Sequence, residues 1–380
     1  MAKTGKAWVM ESAGKMEIRE FPYPELKDDG VIIRIEASGV CGTDKHMFNG
    51  VAGTAKFPLV PGHEMMGVVE AVGPNYKDSI NVVGTTDLKA GDKVVLAPGT
   101  KACGRCPVCL RYPDKPYLCT NRFIYGFSTC ANEPYFLGGF SQYAYAVPNS
   151  FIFKVPDGLS NTMAAMAEPV TVAIRAVQRA YEPGNPMLGN GLGVGRTAMV
   201  LGAGPIGLLI VAVLKHVGAG NIIVSDRIPQ RLAMAKEQGA DVCVDASLSL
   251  EERKKLVMDC NNGELPDVVI EAAGAPICFY EAIEFVRRGG IVIESGHYTD
   301  NGTTEIHPFT VCNKDCDIRG AWAVHPILFR DALNFLSRAK TPVEKVATHV
   351  FSFEQAKEAI TTSGGPEVGK VIIEPWGNTD

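Results

Sequence analysis

Ala198-Met199-Val200-Leu201-Gly202-Ala203-Gly204-Pro205-Ile206-Gly207-Leu208-Leu209 is an apolar run broken by three glycines at the spacing G-x-G-x-x-G. The residues at 198–201 predict a buried strand, 202–207 a tight turn, and 206–216 a helix. Asp226 follows at the end of a second apolar stretch, 221–225. In such a unit the first glycine makes the turn, the second lets the backbone approach a pyrophosphate, and the third packs helix against strand. The helix N-terminus meets the phosphates, and the acid accepts hydrogen bonds from the ribose hydroxyls. Gly202, Gly204, Pro205, Ile206, Gly207 and Asp226 are therefore candidate dinucleotide-binding residues. A carboxylate at 226 repels a 2′-phosphate, so NAD is expected rather than NADP. Arg227 and Arg231 are the residues to examine for phosphate contacts.

Working outward, apolar stretches at 221–224, 241–244, 267–270 and 290–294 alternate with helical patterns at 230–238 and 278–287. That alternation predicts a doubly wound parallel sheet. Upstream the texture differs. Short β-branched runs at 31–35, 67–72, 93–96 and 141–147, separated by Gly and Pro, predict a β-rich, barrel-like unit. Beyond 323 a helix over 326–338 leads to a last strand at 369–374. The stretch 182–196, with five glycines and two prolines, reads as a loop entering the α/β unit.

The 380 residues are 46% hydrophobic and 21% charged, enough for a large core and against a disordered chain. Thirty-seven basic against 42 acidic side chains leave a net charge of −5, no electrostatic footprint for nucleic acid or an anionic membrane. The uncharged run 197–214 approaches bilayer length, but its glycines and proline read as strand, turn and helix. No apolar leader is evident at the N-terminus, so a reducing cytoplasm is expected.

Four of the eleven cysteines, Cys103, Cys106, Cys109 and Cys119, fall within seventeen residues. Four thiolates suit a tetrahedral zinc with no open position, a structural site. A second set is dispersed: Cys41-Gly42-Thr43-Asp44-Lys45-His46, Gly62-His63-Glu64 and Glu168-Pro169. Cys41, His63 and Glu168 offer sulfur, nitrogen and oxygen donors for a catalytic zinc. Taken singly, they read equally as a buried thiol, a core histidine and a surface acid.

In this order, C-G-T-D-x-H, G-H-E, the cysteine loop, E-P and the glycine fingerprint resemble the zinc-dependent medium-chain alcohol and polyol dehydrogenases. Gly91-Asp92-Lys93-Val94, Gly139-Phe140 and Gly369-Lys370-Val371-Ile372 extend the likeness over the whole chain. The resemblance implies a GroES-like β-barrel catalytic domain (1–175 and 324–380) around a Rossmann domain (176–323). It implies two zincs per chain, the catalytic one held by Cys41, His63 and Glu168, as in the sorbitol and threonine dehydrogenase branch. Glu64 is similar to the family's alternate ligand, and Thr43 and His46 to its proton relay. A homodimer or homotetramer acting on a small alcohol or carbonyl compound is implied. Two departures stand out: nine residues separate Cys109 from Cys119 where seven are usual, and the loop 182–196 is long. Met47, Phe48, Phe57, Tyr125, Phe127, His297 and Trp322 are candidate pocket residues. The competing readings are a zinc-free enone or quinone reductase, which lacks the Cys/His/Glu set, and a non-enzymatic redox sensor, for which the relay is superfluous.

Overall fold

The computed structural model describes residues 3–51, 55–83, 87–181 and 191–377. The fingerprint strand, Thr197–Leu201, is buried along its whole length and lies at the centre of a six-stranded parallel sheet. Across that sheet the order is Val242–Asp245, Asn221–Asp226, Thr197–Leu201, Val268–Glu271, Ile291–Glu294 and Asp317–Gly320. Strands covered on both faces must be apolar, which is why the inner strands read as hydrophobic runs, whereas the edge strand Asp317–Gly320 is polar and largely exposed. In chain order the strands run 3-2-1-4-5-6, so the winding reverses between Thr197–Leu201 and Val268–Glu271. Ligands of such sheets bind at the carboxyl ends beside that reversal.

Gly202 turns the chain at φ +95°, and the helix Pro205–Val217 starts with Gly204 as its N-cap and Pro205 in its first turn. Gly218, left-handed at φ +83°, ends it. A Cβ on Gly207 would stand 1.9 Å from the Gly202 carbonyl oxygen, so helix and strand approach this closely only with glycine there.

The second sheet has eight strands. Its path runs Ala347–Ser352, Lys370–Glu374, Val31–Val40, Glu64–Val72, Lys93–Leu96, Phe151–Lys154 and Asn81–Val83, with Tyr143–Ala146 also paired to Val31–Val40. The strand nearest the C-terminus thus returns to the N-terminal sheet, setting Val371 opposite Val40. Between the sheets lies the helix Ala167–Arg179. Its Ala167, Val170, Ala173 and Val177 join one apolar cluster that includes Met66, Val95 and Phe153 on one side and Val200, Leu209 and Val213 on the other.

Every strand and helix expected above is present, with ends shifted by a few residues. The structure adds a hairpin, Thr4–Ser12 with Lys15–Pro22, and the helix Leu250–Asp259, opened by a Ser249/Glu252 capping box. Of the loop 182–196, residues 182–190 lie outside the described residues. Because backbone rather than a flexible side chain blocks a Cβ at 207, Gly207→Ala should destabilise the protein by ~1–3 kcal/mol, the usual cost of overpacking. It should also weaken dinucleotide binding, as read by thermal melts with and without cofactor.

Candidate active site

Cys41 ends the strand Val31–Val40 and caps the short helix Gly42–Phe48. The cap is reciprocal: the Cys41 backbone N–H donates to Asp44 Oδ2 (2.9 Å). The other oxygen, Asp44 Oδ1, accepts from the Gly62 N–H (3.1 Å), which fixes the turn that presents His63. One fully buried aspartate therefore sets the spacing between Cys41 and His63. Ligand atoms of Cys41, His63 and Glu64 lie within 4.8 Å of one another. Thr43, also buried, holds its Oγ1 3.5 Å from Cys41 Sγ.

His63 Nδ1 and Glu64 Oε2 are buried without a hydrogen-bond partner among the described residues. Atoms left this way are costly unless a ligand meets them. Lys370, buried on the C-terminal strand, pairs with the other oxygen, Glu64 Oε1. Glu168, second residue of the helix Ala167–Arg179, lines the same cavity but stands outside the three-donor group.

Electrostatics at this point favour added positive charge. Burial alone would lower His63, but the Cys41 sulfur, then Asp44 and Glu168, outweigh it and raise the imidazole to about 10. Burial pushes the Glu168 carboxyl up to about 7; His63 opposes this and Glu64 adds to it. Burial also lowers Lys370, yet Glu64, Cys41 and Glu168 leave it raised. Protons are being held where a cation with sulfur, nitrogen and oxygen donors fits, and metal binding at such a site releases them.

These residues line a pocket of about 430 Å³, with Thr43 and His46 on one wall and Gly204, Pro205, Ile206 and Arg231 on another. His46 is half-buried, its pKa lowered by burial and by Lys45. Arg231 is committed to backbone, donating to the carbonyls of Gly364 (3.0 Å) and Gly365 (2.8 Å). Asp226 closes the fingerprint turn: its Oδ2 accepts from the Ala203 N–H (2.7 Å) and its Oδ1 from Ile228 (2.9 Å).

Of the seven expected pocket residues, only Phe127 lines the cavity. Met47 and Tyr125 are core, and the Tyr125 hydroxyl is taken up by Val147, Tyr145 and Ser150. Trp322 instead stacks on Tyr298, which does face the pocket (ring centroids 4.6 Å apart). Sequence reasoning missed Arg122, Tyr298, Thr299 and Asn301 on the walls. It quoted Asp44 and Lys370 within motifs without giving either a task.

Cys103, Cys106, Cys109 and Cys119 also gather within 4.8 Å of one another, and none is in a disulfide. Cys106 caps the helix Pro107–Arg111 and Cys119 closes a 3₁₀ turn, Pro116–Leu118, within the lengthened segment. Cys106 and Cys109 sulfurs are 3.4 Å apart, and the Cys103 N–H donates to Cys119 Sγ (3.4 Å). The extra residues thus form a compact turn that still delivers the fourth sulfur.

The profile of the alcohol dehydrogenase GroES-like domain matches residues 27–157, and that of the zinc-binding dehydrogenase matches 205–338. The sorbitol dehydrogenase of Bacillus subtilis is 33% identical over 366 residues, covering 93% of this chain and 92% of that one. This chain belongs to the zinc-dependent medium-chain alcohol and polyol dehydrogenases. Among solved structures, an alcohol dehydrogenase from Thermotoga maritima superposes with a TM-score of 0.89 at 29% identity, over 98% of this chain and 100% of that one. An Escherichia coli alcohol dehydrogenase crystallised with NADH gives 0.79 at 28% identity, over 98% and 99%. The chain is thus an alcohol/polyol dehydrogenase of small-molecule substrates that uses zinc and a nicotinamide dinucleotide. No helix among the described residues is long and apolar enough to cross a membrane.

In this dehydrogenase a third donor group, Glu271, Glu294 and His297, lies on the dinucleotide side. His297 turns away from the pocket: its Nδ1 is 2.9 Å from Glu294 Oε1 and 3.5 Å from Glu271 Oε2. Burial, then the Glu294 charge, pushes Glu271 up to about 7. A carboxyl with a raised folded-state pKa contributes stability at low pH and loses it as pH rises towards that value. Glu271→Gln, which mimics the protonated form, should therefore flatten the melting-temperature profile between about pH 5 and 7 relative to the parent. For the cysteine loop, Cys119→Ser should lower zinc content by one per chain and depress the melting temperature, measured by elemental analysis and calorimetry.

Proposed function

We propose that the enzyme transfers hydride between a primary or secondary alcohol, or a polyol, and NAD, with two zincs per chain. The observation that carries this reading is the buried Cys41/His63/Glu64 donor group facing the glycine fingerprint across one cavity. Cys41, His63 and Glu168 would hold the catalytic zinc, with Glu64 as an alternate donor kept in reserve by Lys370. Cys103, Cys106, Cys109 and Cys119 would hold a structural one. Zinc so held supplies Lewis acidity that acidifies an alcohol and polarises a carbonyl, and the nicotinamide ring accepts or returns hydride.

The chain's own groups do the rest. Thr43, its hydroxyl beside Cys41 Sγ, receives the hydroxyl proton of the substrate. His46, half-buried and biased towards the neutral form, passes that proton towards solvent. Phe127 and Val172 keep the reacting end apolar, and Gly204 to Gly207 cradle the pyrophosphate. Asp226, already anchored by two backbone N–H groups, keeps its carboxylate at the ribose end and supports NAD over NADP. The same proposal divides the chain into a catalytic part (1–175 and 324–380) and a dinucleotide-binding part (176–323), and expects a cytoplasmic homodimer or homotetramer.

The test compares two losses. Glu168→Ala should lose one zinc and nearly all turnover with NAD affinity little changed. His46→Ala should keep both zincs and lose roughly 10²–10⁴-fold in rate, the scale of general acid–base help. Absorbance of the reduced cofactor over an alcohol panel, with NAD and NADP, gives the readout. Full zinc and ordinary turnover in Glu168→Ala would pass the third-ligand role to Glu64, and a wild-type preference for NADP would overturn the reading of Asp226.

A further inference from the structure

Arg122 is the pocket arginine that makes no hydrogen bond among the described residues. Lys370 is committed to Glu64 and Arg231 to two backbone carbonyls. Arg122, half-buried on the same wall, has no carboxylate partner and no hydrogen-bond acceptor among the described residues. Its guanidinium lies over Gly99, where a Cβ would stand 2.7 Å from Nη1. Burial lowers its pKa, opposed by Tyr298 and Cys119. Guanidinium nonetheless stays charged in proteins, so an anion entering the pocket would meet a full positive charge there.

Tyr298 lines the same pocket as Arg122 and Cys41. Burial raises this phenol to about 12; Cys41 and Glu168 add to that and Arg122 opposes it. The buried Ser295 Oγ, also on the pocket wall, has no hydrogen-bond partner among the described residues. Cys41 and Arg122 line one cavity of about 430 Å³, so a polyol with a hydroxyl at Cys41 shares that cavity with a planar, bidentate donor.

Resting on the dehydrogenase reading, we propose that Arg122 selects a hydroxy compound bearing an anionic group, a carboxylate or a phosphate, at the end remote from the oxidised carbon. A guanidinium fork suits either anion, and a neutral polyol leaves it unpaired. Discrimination of roughly 10–100-fold in kcat/KM is expected from one such charge-assisted contact.

The experiment uses the zinc-loaded enzyme with a neutral hexitol, a hexitol phosphate and an aldonate, for wild type and Arg122→Gln. Wild type should favour at least one anionic compound, and which of the two distinguishes phosphate from carboxylate. In Arg122→Gln the preference should collapse towards one, chiefly through KM, with both zincs and the melting temperature retained. Equal losses on neutral and anionic substrates, or loss of a zinc, would assign Arg122 to supporting the nearby cysteine loop and overturn the proposal. A binding readout runs beside turnover: quenching of Trp322, stacked on Tyr298, by each anion with cofactor present. Saturable quenching that Arg122→Gln abolishes sustains the Arg122 assignment even if no alcohol is oxidised, an outcome that would sink the dehydrogenase reading alone. Absence of quenching by both anions overturns the assignment.

Discussion

Buried negative charge at the cleft floor is the constraint around which the structure is arranged. Asp44 and Glu64 are buried there beside Cys41 and Glu168, and Lys370 supplies permanent positive charge from the far end of the chain. Charges removed from water must be paired or must bind a metal. Each local feature answers part of that demand. Asp44 spends both oxygens on backbone N–H groups, Lys370 takes one oxygen of Glu64, and His63 takes up a proton. What stays unmet, His63 Nδ1 and Glu64 Oε2, points to the cation the fold is built to receive. The return of the strand Lys370–Glu374 to the N-terminal sheet is thus an electrostatic requirement as well as a pairing of edges.

The dinucleotide side solves a related problem with a repeated device. Four parallel strands end in an acid: Asp226, Asp245, Glu271 and Glu294. Each carboxylate closes the loop that follows it, accepting backbone N–H bonds two or three residues on. Loops at the carboxyl ends of a parallel sheet carry the ligand, so fastening them without outside partners keeps the wall of the cleft rigid. Glu271 and Glu294 are direct neighbours in the sheet register, which sets the two carboxylates face to face and explains why His297 turns inward to them rather than into the pocket.

How much of this could be read in advance follows from how local each signal is. The glycine turn, the C-x₂-C-x₂-C loop and the strand–helix alternation are fixed by residues close in sequence, and they were legible. So was the Ser249/Glu252 cap, a four-residue signature that the reading passed over. Glu64 and Lys370 are 306 residues apart, and no periodicity links them. The pocket walls failed for a related reason. Aromatic residues such as Tyr125 have an apolar body that fills core and a polar tip satisfied by backbone, so aromatic character alone does not distinguish lining from core. Arg122, a single charge between an asparagine and a phenylalanine, carries no pattern at all.

Hydride transfer requires the two halves of the site to be held together to within a fraction of an ångström, since misplacement by about 1 Å costs on the order of 10²-fold in rate. The helix Ala167–Arg179 meets that requirement. Its first turn carries Glu168 to the wall of the cavity that the donor group faces, while its apolar face packs at once on the barrel sheet through Met66, Val95 and Phe153 and on the fingerprint helix through Leu209 and Val213. A change that loosened this shared core would shift Cys41 and His63 relative to Gly204 without touching any of them. The small side chains at 167, 173 and 176 therefore matter as spacing: they let the helix come close enough to both sheets that metal donors and dinucleotide turn belong to one packed body.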